Sequence, residues 1–297
     1  MFSVQGTQPF YMNYWQFSVH APFDAKQEMI DRYRPKIDRT IAQRSPTYAA
    51  MVHSLDDAIG SLLNAVDNAG IVDHTAIVFI SDNGGNMYNG IREKDAQGRE
   101  YVTTPTSNAP LRGGKATIFE GGIRVPCVVV WPGVTQPGTR SNEIIQSTDF
   151  YTTLLKLLDI PLPQDHVLDG IDITPALRGG KLNRRPIFTY FPHNPGVPDW
   201  LPPAMAVHYE DWKLIRLFHQ GNNGAHDYLL YNLTEDIGEK NNLAATHPQK
   251  VQELDQIIED YLQAANAVIP QPNPAFDPAK YRPEDIGVQK GGLKVAK

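Results

Sequence analysis

TAIVFISDNGG, residues 75 to 85, is the stretch that decides the fold class of this chain. Its first part, Thr75 to Ser81, is a continuous run rich in β-branched residues, which is typical of a strand covered on both faces in a parallel sheet. The run ends in Asp82, Asn83 and two glycines, the kind of loop that turns sharply beside a ligand. In α/β sheets the ligand crevice lies outside the carboxyl ends of the strands, so chemistry is expected at this loop.

The segments around this stretch continue an α/β pattern. Tyr48 to Ala69 carries apolar residues at three- and four-residue steps and predicts a helix that ends at Gly70. Val125 to Trp131 predicts a second buried strand, and Asp149 to Leu158 predicts another helix. Phe10 to Val19, rich in aromatic residues, predicts a core strand of the same sheet. The predicted fold is therefore a mostly parallel sheet with helices on both faces.

The pattern changes near residue 204. Upstream, Ile187 to Phe191 predicts a short strand. Beyond the change, the sequence predicts short antiparallel strands and a closing helix, at Ala204 to Tyr209, Trp212 to Phe218, Tyr228 to Leu233 and His247 to Ala265. We therefore expect a larger α/β domain over residues 1–203, a small antiparallel α+β domain over 204–269, and a mobile, proline-rich tail over 270–297.

Composition excludes several classes of protein. The chain has 297 residues, of which 41% are hydrophobic and 20% charged, and this is ordinary globular composition. Its net charge of −6 includes no basic run that could follow a phosphate backbone, which argues against nucleic acid as a partner. No apolar stretch approaches the ~20 residues of a membrane-spanning helix. The single cysteine, Cys127, cannot form an internal disulfide, so it leaves the redox compartment open.

The first residues of the chain lack the features of an export signal. Met1 to Thr7 has neither a charged n-region nor an apolar h-region, so these residues do not indicate a cellular location. The predicted core strand begins within ten residues of Met1, with no earlier element of the domain before it in this sequence. We therefore expect a chain whose domain is incomplete at its N-terminus.

Four side chains are candidates for chemistry, each with an ordinary structural alternative. Asp82 and Asn83 offer hard oxygen ligands suited to Ca²⁺ or Mg²⁺, or they satisfy their own backbone in a turn. His20 precedes an Ala-Pro pair, and a lone histidine is more often structural than functional. Lys115, after Arg112-Gly-Gly, could bind an oxyanion together with backbone amides, although most loop lysines are simply solvated.

In their order along the chain, these motifs resemble one family. The motifs are HAPF at His20, YAAMVHSLDDAIGSLL, VFISDNGG, PLRGGKATIFEGGIRVP from Pro110, STDFYTTLL, DGIDITPAL and LYNLTEDIGEKNNLA. Together they resemble the type I sulfatases of the arylsulfatase branch, within the alkaline phosphatase superfamily, over roughly Phe10 to Leu262. Any one motif is weak, but their shared order is specific.

The resemblance implies a role for each candidate. Asp82 and Asn83 match the family's second pair of Ca²⁺ ligands, with Mg²⁺ as the alternative ion. His20 matches a histidine that contacts the sulfate ester, and Lys115 matches a lysine on the sulfate oxygens. The implied substrate is a small-molecule or carbohydrate sulfate ester. A cation, an ammonium and an imidazole suit the negative charge that develops on sulfonyl oxygens.

Three family features are absent from this sequence. The nucleophile is formylglycine, made from the Cys or Ser of a C-x-P-S-R type motif, and the surroundings of Cys127 do not match that motif. The adjacent Asp pair after the first strand and the G-K-x-x-H type segment are also missing. In family members all three lie upstream of HAPF, so one missing N-terminal part of the domain explains them together. We therefore expect this chain alone to be inactive, and the resemblance implies a periplasmic or secreted location for the complete parent.

Two alternatives stay open from the residues. One is a phosphomonoester or phosphonate hydrolase of the same superfamily, which handles a similar tetrahedral oxyanion. The other is a non-catalytic, sulfatase-like remnant that only binds sulfated or phosphorylated ligands. The aromatic segment Tyr190 to Trp200 could stack on sugar rings or act as a structural clamp.

Overall fold

A computed structural model describes residues 9–193, 201–280, 282 and 294–295. Six α-helices and nine strands lie within these residues. The helices are α1 (Gln27–Tyr33), α2 (Pro46–Asn68), α3 (Glu120–Ile123), α4 (Asp149–Leu157), α5 (Thr174–Leu177) and α6 (Pro248–Ala264). The strands are β1 (Ile77–Ile80), β2 (Asn89–Lys94), β3 (Glu100–Thr103), β4 (Cys127–Val130), β5 (Ile187–Phe191), β6 (Ala204–Tyr209), β7 (Trp212–Leu217), β8 (Asp227–Asn232) and β9 (Lys294–Val295).

The strongly periodic elements are confirmed. The helix predicted over Tyr48 to Ala69 is α2, which begins two residues earlier because the Ser45 side chain caps it by accepting from the Tyr48 amide. Strands β5 and β6 have the predicted bounds; β7 and α4 differ from their predictions by one residue at the C-terminal end, and β8 and α6 by one residue at each end. Local pattern was sufficient for these elements, including β6, which is buried on both faces.

The predicted core strand over Phe10 to Val19 is wrong. Residues 9–17 adopt no regular structure, and large side chains there face solvent, with Trp15 87% and Phe17 71% exposed. A strand requires a hydrogen-bonded neighbour, and no described strand pairs with this segment. The aromatic composition alone could not supply that neighbour.

The strand that precedes the Asp82 loop is paired differently from the expectation. β1 pairs with β4 alone, and the pairing is antiparallel, with Ile77 opposite Val130 and Ile80 opposite Cys127. Val78, Phe79 and Ile80 are each more than a third exposed, so β1 is not covered on both faces. Among the described strands only β2 and β9 pair in parallel, while β2 and β3 are antiparallel. The chain nevertheless keeps the mixed helix and sheet content of the α/β class.

The second sheet is an antiparallel meander in the order β5-β6-β7-β8. One face packs against α6 through Leu254, Ile258 and Leu262. The other face packs against Ile118 and Phe119, which follow the Lys115 loop. The strands alternate between the two cores, as a period of two requires. The C-terminal sheet therefore forms the floor beneath the Lys115 segment.

Two further expectations bear on the ends of this region. The meander already includes β5, upstream of residue 204, while the division of the chain into 1–203, 204–269 and 270–297 stays a prediction. The tail and the Tyr190 to Trp200 segment fall partly outside the described residues.

No helix within the described part of the chain is long and apolar enough to cross a membrane.

Candidate functional site

The Asp82 loop directly follows β1. The Asp82 side chain is exposed, and its Oδ1 accepts a hydrogen bond from the Asn83 amide at 2.9 Å. The Asn83 side chain is half-buried, and its Nδ2 donates to the Gly84 carbonyl at 3.1 Å. These short contacts fix the turn and leave the other Asp82 carboxylate oxygen and the Asn83 amide oxygen without a described partner.

Two backbone hydrogen bonds join this loop to the Lys115 segment. The Lys115 amide donates to the Gly85 carbonyl at 3.1 Å, and the Gly84 amide donates to the Gly122 carbonyl at 2.9 Å. The structure therefore brings together the two loops that the sequence separates by about thirty residues. Lys115 is half-buried, and its ammonium forms no ion pair with a described carboxylate.

The Asn108 side chain ties the same two loops together. Its Oδ1 accepts from the Gly85 amide at 3.1 Å, while its Nδ2 donates to the carbonyls of Gly85 at 3.0 Å and Gly113 at 3.1 Å. One amide group thus satisfies both backbone groups of Gly85 and one of Gly113. Sequence reasoning missed Asn108, because a single asparagine before Ala-Pro carries no recognisable signal.

Glycine is required where the two loops touch. A Cβ at Gly84 would lie 1.8 Å from the Gly121 carbonyl oxygen, and a Cβ at Gly121 would lie 2.2 Å from the Gly113 oxygen. Both are far inside van der Waals contact with rigid backbone. The glycine pairs in DNGG and EGG therefore serve close packing of backbone against backbone.

The Lys115 segment is anchored on the C-terminal sheet. Ile118 and Phe119 are fully buried against it. The Arg112 guanidinium stacks over the Phe119 ring at 4.0 Å and donates to the Tyr231 hydroxyl and the Glu239 carbonyl, both at 3.0 Å. Lys115 therefore projects from a loop that is held at both ends.

A buried ionic triad completes this anchor. Lys213 Nζ lies 2.9 Å from Glu120 Oε1 and 2.8 Å from Glu239 Oε1, and all three side chains are at most 2% exposed. Glu239 Oε2 also accepts from the Glu120 amide at 2.7 Å.

The pKa values of the two carboxyls in the triad are shifted in opposite directions. Burial is the largest single effect on Glu120 and acts to raise its pKa, but the Lys213 ammonium, its hydrogen bond and the nearby His208 and Arg124 together lower the pKa below its ordinary value. For Glu239 burial prevails over the same ammonium, and its pKa is raised. Lys213 lies within ion-pairing distance of both carboxyls, and among the described ion pairs it is the only cation that Glu239 contacts.

His20 lies apart from this network. Its side chain is exposed, its Nδ1 lies 2.8 Å from the Ala21 carbonyl oxygen, and its ring meets Phe17 edge to face. No contact among the described residues joins His20 to Asp82, Asn83 or Lys115. The structure thus assembles the Asp82 and Lys115 loops and leaves His20 unconnected to them.

The donor set of the Asp82 loop suits part of a calcium site. Asp82 and Asn83 supply oxygen ligands of the hard type that Ca²⁺ prefers, but two side chains fall short of its ~6–8 ligands. Within the described residues no group of three or more His, Cys, Asp or Glu side chains is placed to hold a metal ion. The ligand atoms of this loop are therefore of the type that Ca²⁺ prefers, but there are too few of them to complete its coordination.

Comparison with known proteins gives two overlapping family matches. The model of the family described as "Sulfatase" matches residues 3–160. The model described as "N-sulphoglucosamine sulphohydrolase, C-terminal" matches residues 114–267. The two matches overlap at the Lys115 segment and together span the loops of the site and the C-terminal sheet.

Individual relatives agree with these matches. A protein named "Sulfatase" from Formosa agariphila is 32% identical over 256 residues, covering 82% of this chain and 43% of the relative. Human arylsulfatase A is 30% identical over 272 residues, covering 84% of this chain and 48% of the relative. The crystal structure of Ps i-CgsB in complex with k-i-k-neocarrahexaose superposes with a TM-score of 0.66 at 26% identity, covering 82% of this chain and 48% of that one. The chain spans about half the length of the relatives it matches.

Proposed function

Because this chain belongs to the sulfatase family and has its alkaline-phosphatase-like α/β fold, we propose that it forms the later part of an enzyme that hydrolyses a sulfate monoester. The single observation that carries the proposal is the junction of the two loops. The Lys115 amide bonds to the Gly85 carbonyl, so an ammonium and two oxygen ligands stand on adjoining loops.

Each residue has a role that suits a sulfate ester. Lys115 would bind the sulfonyl oxygens, where its positive charge stabilises the charge that builds up as the ester bond breaks. Asp82 and Asn83 would hold Ca²⁺ together with further oxygen ligands, and that ion would add positive charge beside the sulfate. His20 would contact the sulfate ester from the loop that follows residue 19, where its ring now meets Phe17 and the Ala21 carbonyl.

The reaction needs a nucleophile that this sequence does not contain. In the sulfatase family that nucleophile is formylglycine. We propose that the complete protein supplies it from an earlier part of the domain, whose elements pack against β1 and β4. The substrate class is a sulfated small molecule or carbohydrate, and the complete protein is periplasmic or secreted.

The proposal is tested by sulfate release from 4-nitrophenyl sulfate in the presence of calcium. The purified 297-residue chain, verified by mass, is measured alone and after co-expression with a polypeptide carrying the earlier elements of a sulfatase domain, including its C-x-P-S-R motif. Lys115→Ala and the exposed surface variant Lys181→Ala are measured in the assembled form. A parallel arm uses a phosphonate monoester.

We expect no turnover by the chain alone, turnover after assembly, and a loss of at least ~10-fold in kcat/KM for Lys115→Ala, as for removal of one charge-stabilising group. Lys181→Ala should match the unsubstituted chain. Activity of the chain alone, or full activity of Lys115→Ala, would refute the proposal. Preference for the phosphonate ester would replace sulfate by phosphonate as the substrate class.

A further inference from the structure

A cleft beside the joined loops is not explained by the sulfate site itself. It has a volume of about 390 Å³, within the ~300–1,000 Å³ of small-ligand sites. Its lining is mostly polar, with hydroxyl groups from three threonines and a serine, one guanidinium, and apolar contacts. The lining residues are Thr40, Ile41, Ala42, Arg44, Met87, Thr104, Thr106 and Ser107.

Hydrogen bonds connect this cleft to the Asp82 and Lys115 loops. Gln43 Nε2 donates to the Ser107 carbonyl at 2.7 Å, and the Thr106 hydroxyl donates to Gln43 Oε1 at 3.0 Å. The next residue is Asn108, whose side chain holds Gly85 and Gly113. Met87, on the cleft wall, lies two residues beyond Gly85. Two of the three chain segments that line the cleft, at Met87 and at Thr104 to Ser107, therefore run directly into the Asp82 and Lys115 loops.

Arg44 is the charged group of this cleft. Its Nε donates to the Thr103 hydroxyl at 3.1 Å and its Nη1 to the Arg39 carbonyl at 3.0 Å. These bonds hold the half-buried side chain in place, yet no described carboxylate lies within ion-pairing distance of it. The nearby Arg39, in contrast, pairs with Asp95 at 3.4 Å. A fixed guanidinium without a carboxylate is suited to binding an acidic group of a ligand.

We propose that this cleft holds a sugar ring of the substrate and that Arg44 binds a second acidic group on it. The inference rests on the proposed function, because the sulfate loops supply the first anionic contact. The hydroxyls of Thr40 and Thr106 donate to Asp38 and Gln43, so each can still accept a hydrogen bond from a sugar hydroxyl. Met87 and Ile41 suit the apolar face of the sugar. The second acidic group is either another ester sulfate or a uronate carboxylate, since both are oxyanions that a guanidinium binds with two hydrogen bonds.

The test is calorimetric titration of the 297-residue chain, in calcium-containing buffer, with three probes. Galactose 6-sulfate carries one acidic group, galactose 2,6-disulfate carries a second sulfate, and glucuronyl-galactose 6-sulfate carries a carboxylate. The variants are Arg44→Gln, Arg44→Lys, Lys115→Ala and the control Arg140→Gln, whose side chain is exposed and forms no hydrogen bond or ion pair with another described residue. Thermal unfolding checks that each variant is folded.

We expect at least one doubly acidic probe to bind about tenfold more tightly than galactose 6-sulfate, the gain from one charge-assisted hydrogen-bonded pair. Arg44→Gln should remove that gain without weakening galactose 6-sulfate, Arg44→Lys should keep part of it, and Arg140→Gln should change nothing. Which of the two doubly acidic probes gains affinity identifies the second group as sulfate or carboxylate.

Other outcomes separate this inference from the proposed function. Equal affinity for all three probes, or an equal loss for all three in Arg44→Gln, would overturn the role of Arg44 while leaving the sulfate site intact. Lys115→Ala should weaken every probe. If it weakens none, the proposed sulfate site fails whatever Arg44 does, and absence of binding by all three probes contradicts both proposals.

Discussion

Gly84 sits at the point where the backbone of the Asp82 loop meets the backbone of α3. Its missing side chain matters because a Cβ there would overlap the Gly121 carbonyl oxygen, 1.8 Å away. We expect Gly84→Ala to lower the free energy of unfolding by at least ~2 kcal/mol, since neither backbone can move freely. Gly60, inside α2 with no atom within 4 Å of an added Cβ, is the matched control.

Chemical denaturation of both variants checks this expectation. Gly60→Ala should raise the free energy of unfolding by up to ~1 kcal/mol, because alanine favours a helix over glycine. If Gly84→Ala behaves like Gly60→Ala, the close approach of the two loops is contradicted.

The burial of His208 predicts that the free energy of unfolding depends on pH through this one side chain. Burial lowers its pKa to about 4, from an ordinary value of 6.5, and the Lys213 and Arg124 charges act in the same direction against Glu120. A folded-state pKa below the unfolded one means that the unfolded chain binds the proton first as pH falls. His208 therefore contributes stability that is present above pH ~6.5 and is lost as pH falls toward 4.

The measurement is the free energy of unfolding of the unsubstituted chain and of His208→Gln between pH 7 and 4. The difference between the two proteins should shift by up to ~3 kcal/mol across this window, in favour of the variant at low pH. Parallel curves for the two proteins would show that His208 does not titrate in this way.

At the scale of elements, the Glu120-Lys213-Glu239 triad holds α3 and the Lys115 segment against β7. Removing Lys213 would leave two buried carboxylates facing each other without a cation. We expect Lys213→Ala to lower the free energy of unfolding by ~3–5 kcal/mol, as for breaking a buried pair. Lys181, whose side chain is 90% exposed in a surface pair with Glu143, should cost less than ~1 kcal/mol when changed to alanine. Similar costs for the two variants would contradict the anchoring role.

Some of the helices and strands could be predicted from the sequence, and others could not. α2, β5 and β6 could be predicted from local pattern, because α2 carries apolar residues at three- and four-residue steps and the two strands are short, largely apolar runs. The segment at Phe10 to Val19 and the pairing of β1 could not be predicted, because strand pairing depends on neighbours distant in the chain. For the candidate site, motif order pointed to Asp82, Asn83 and Lys115; the structure joins their two loops, and the roles of the side chains stay predictions. Asn108 and the triad were missed because their partners lie far along the sequence or on backbone groups.

For the molecule as a whole, apolar surface near the site is the feature that most needs an explanation. Val128 and Val130 on β4 are at least half exposed, as are Trp15 and Phe17, and the outer edges of β1 and β4 carry no described partner strand. Open edges and apolar faces favour association with another polypeptide. We expect hydrogen exchange in β1 and β4 to slow at least tenfold when the earlier elements of a sulfatase domain are co-expressed with this chain. Unchanged exchange would indicate that those elements do not pack there.

We propose that the Asp82 and Lys115 loops form one oxyanion site, and selenate tests this directly. Selenate is a tetrahedral dianion like sulfate, and selenium can be located by its anomalous scattering in crystals of the chain grown with calcium. We expect a selenium peak within hydrogen-bonding reach of Lys115 Nζ, beside the Asp82-Asn83 turn, and no such peak in Lys115→Ala crystals. A peak only at other cationic side chains, with no selenium at the Lys115 loop, would show that the two loops do not form an oxyanion site.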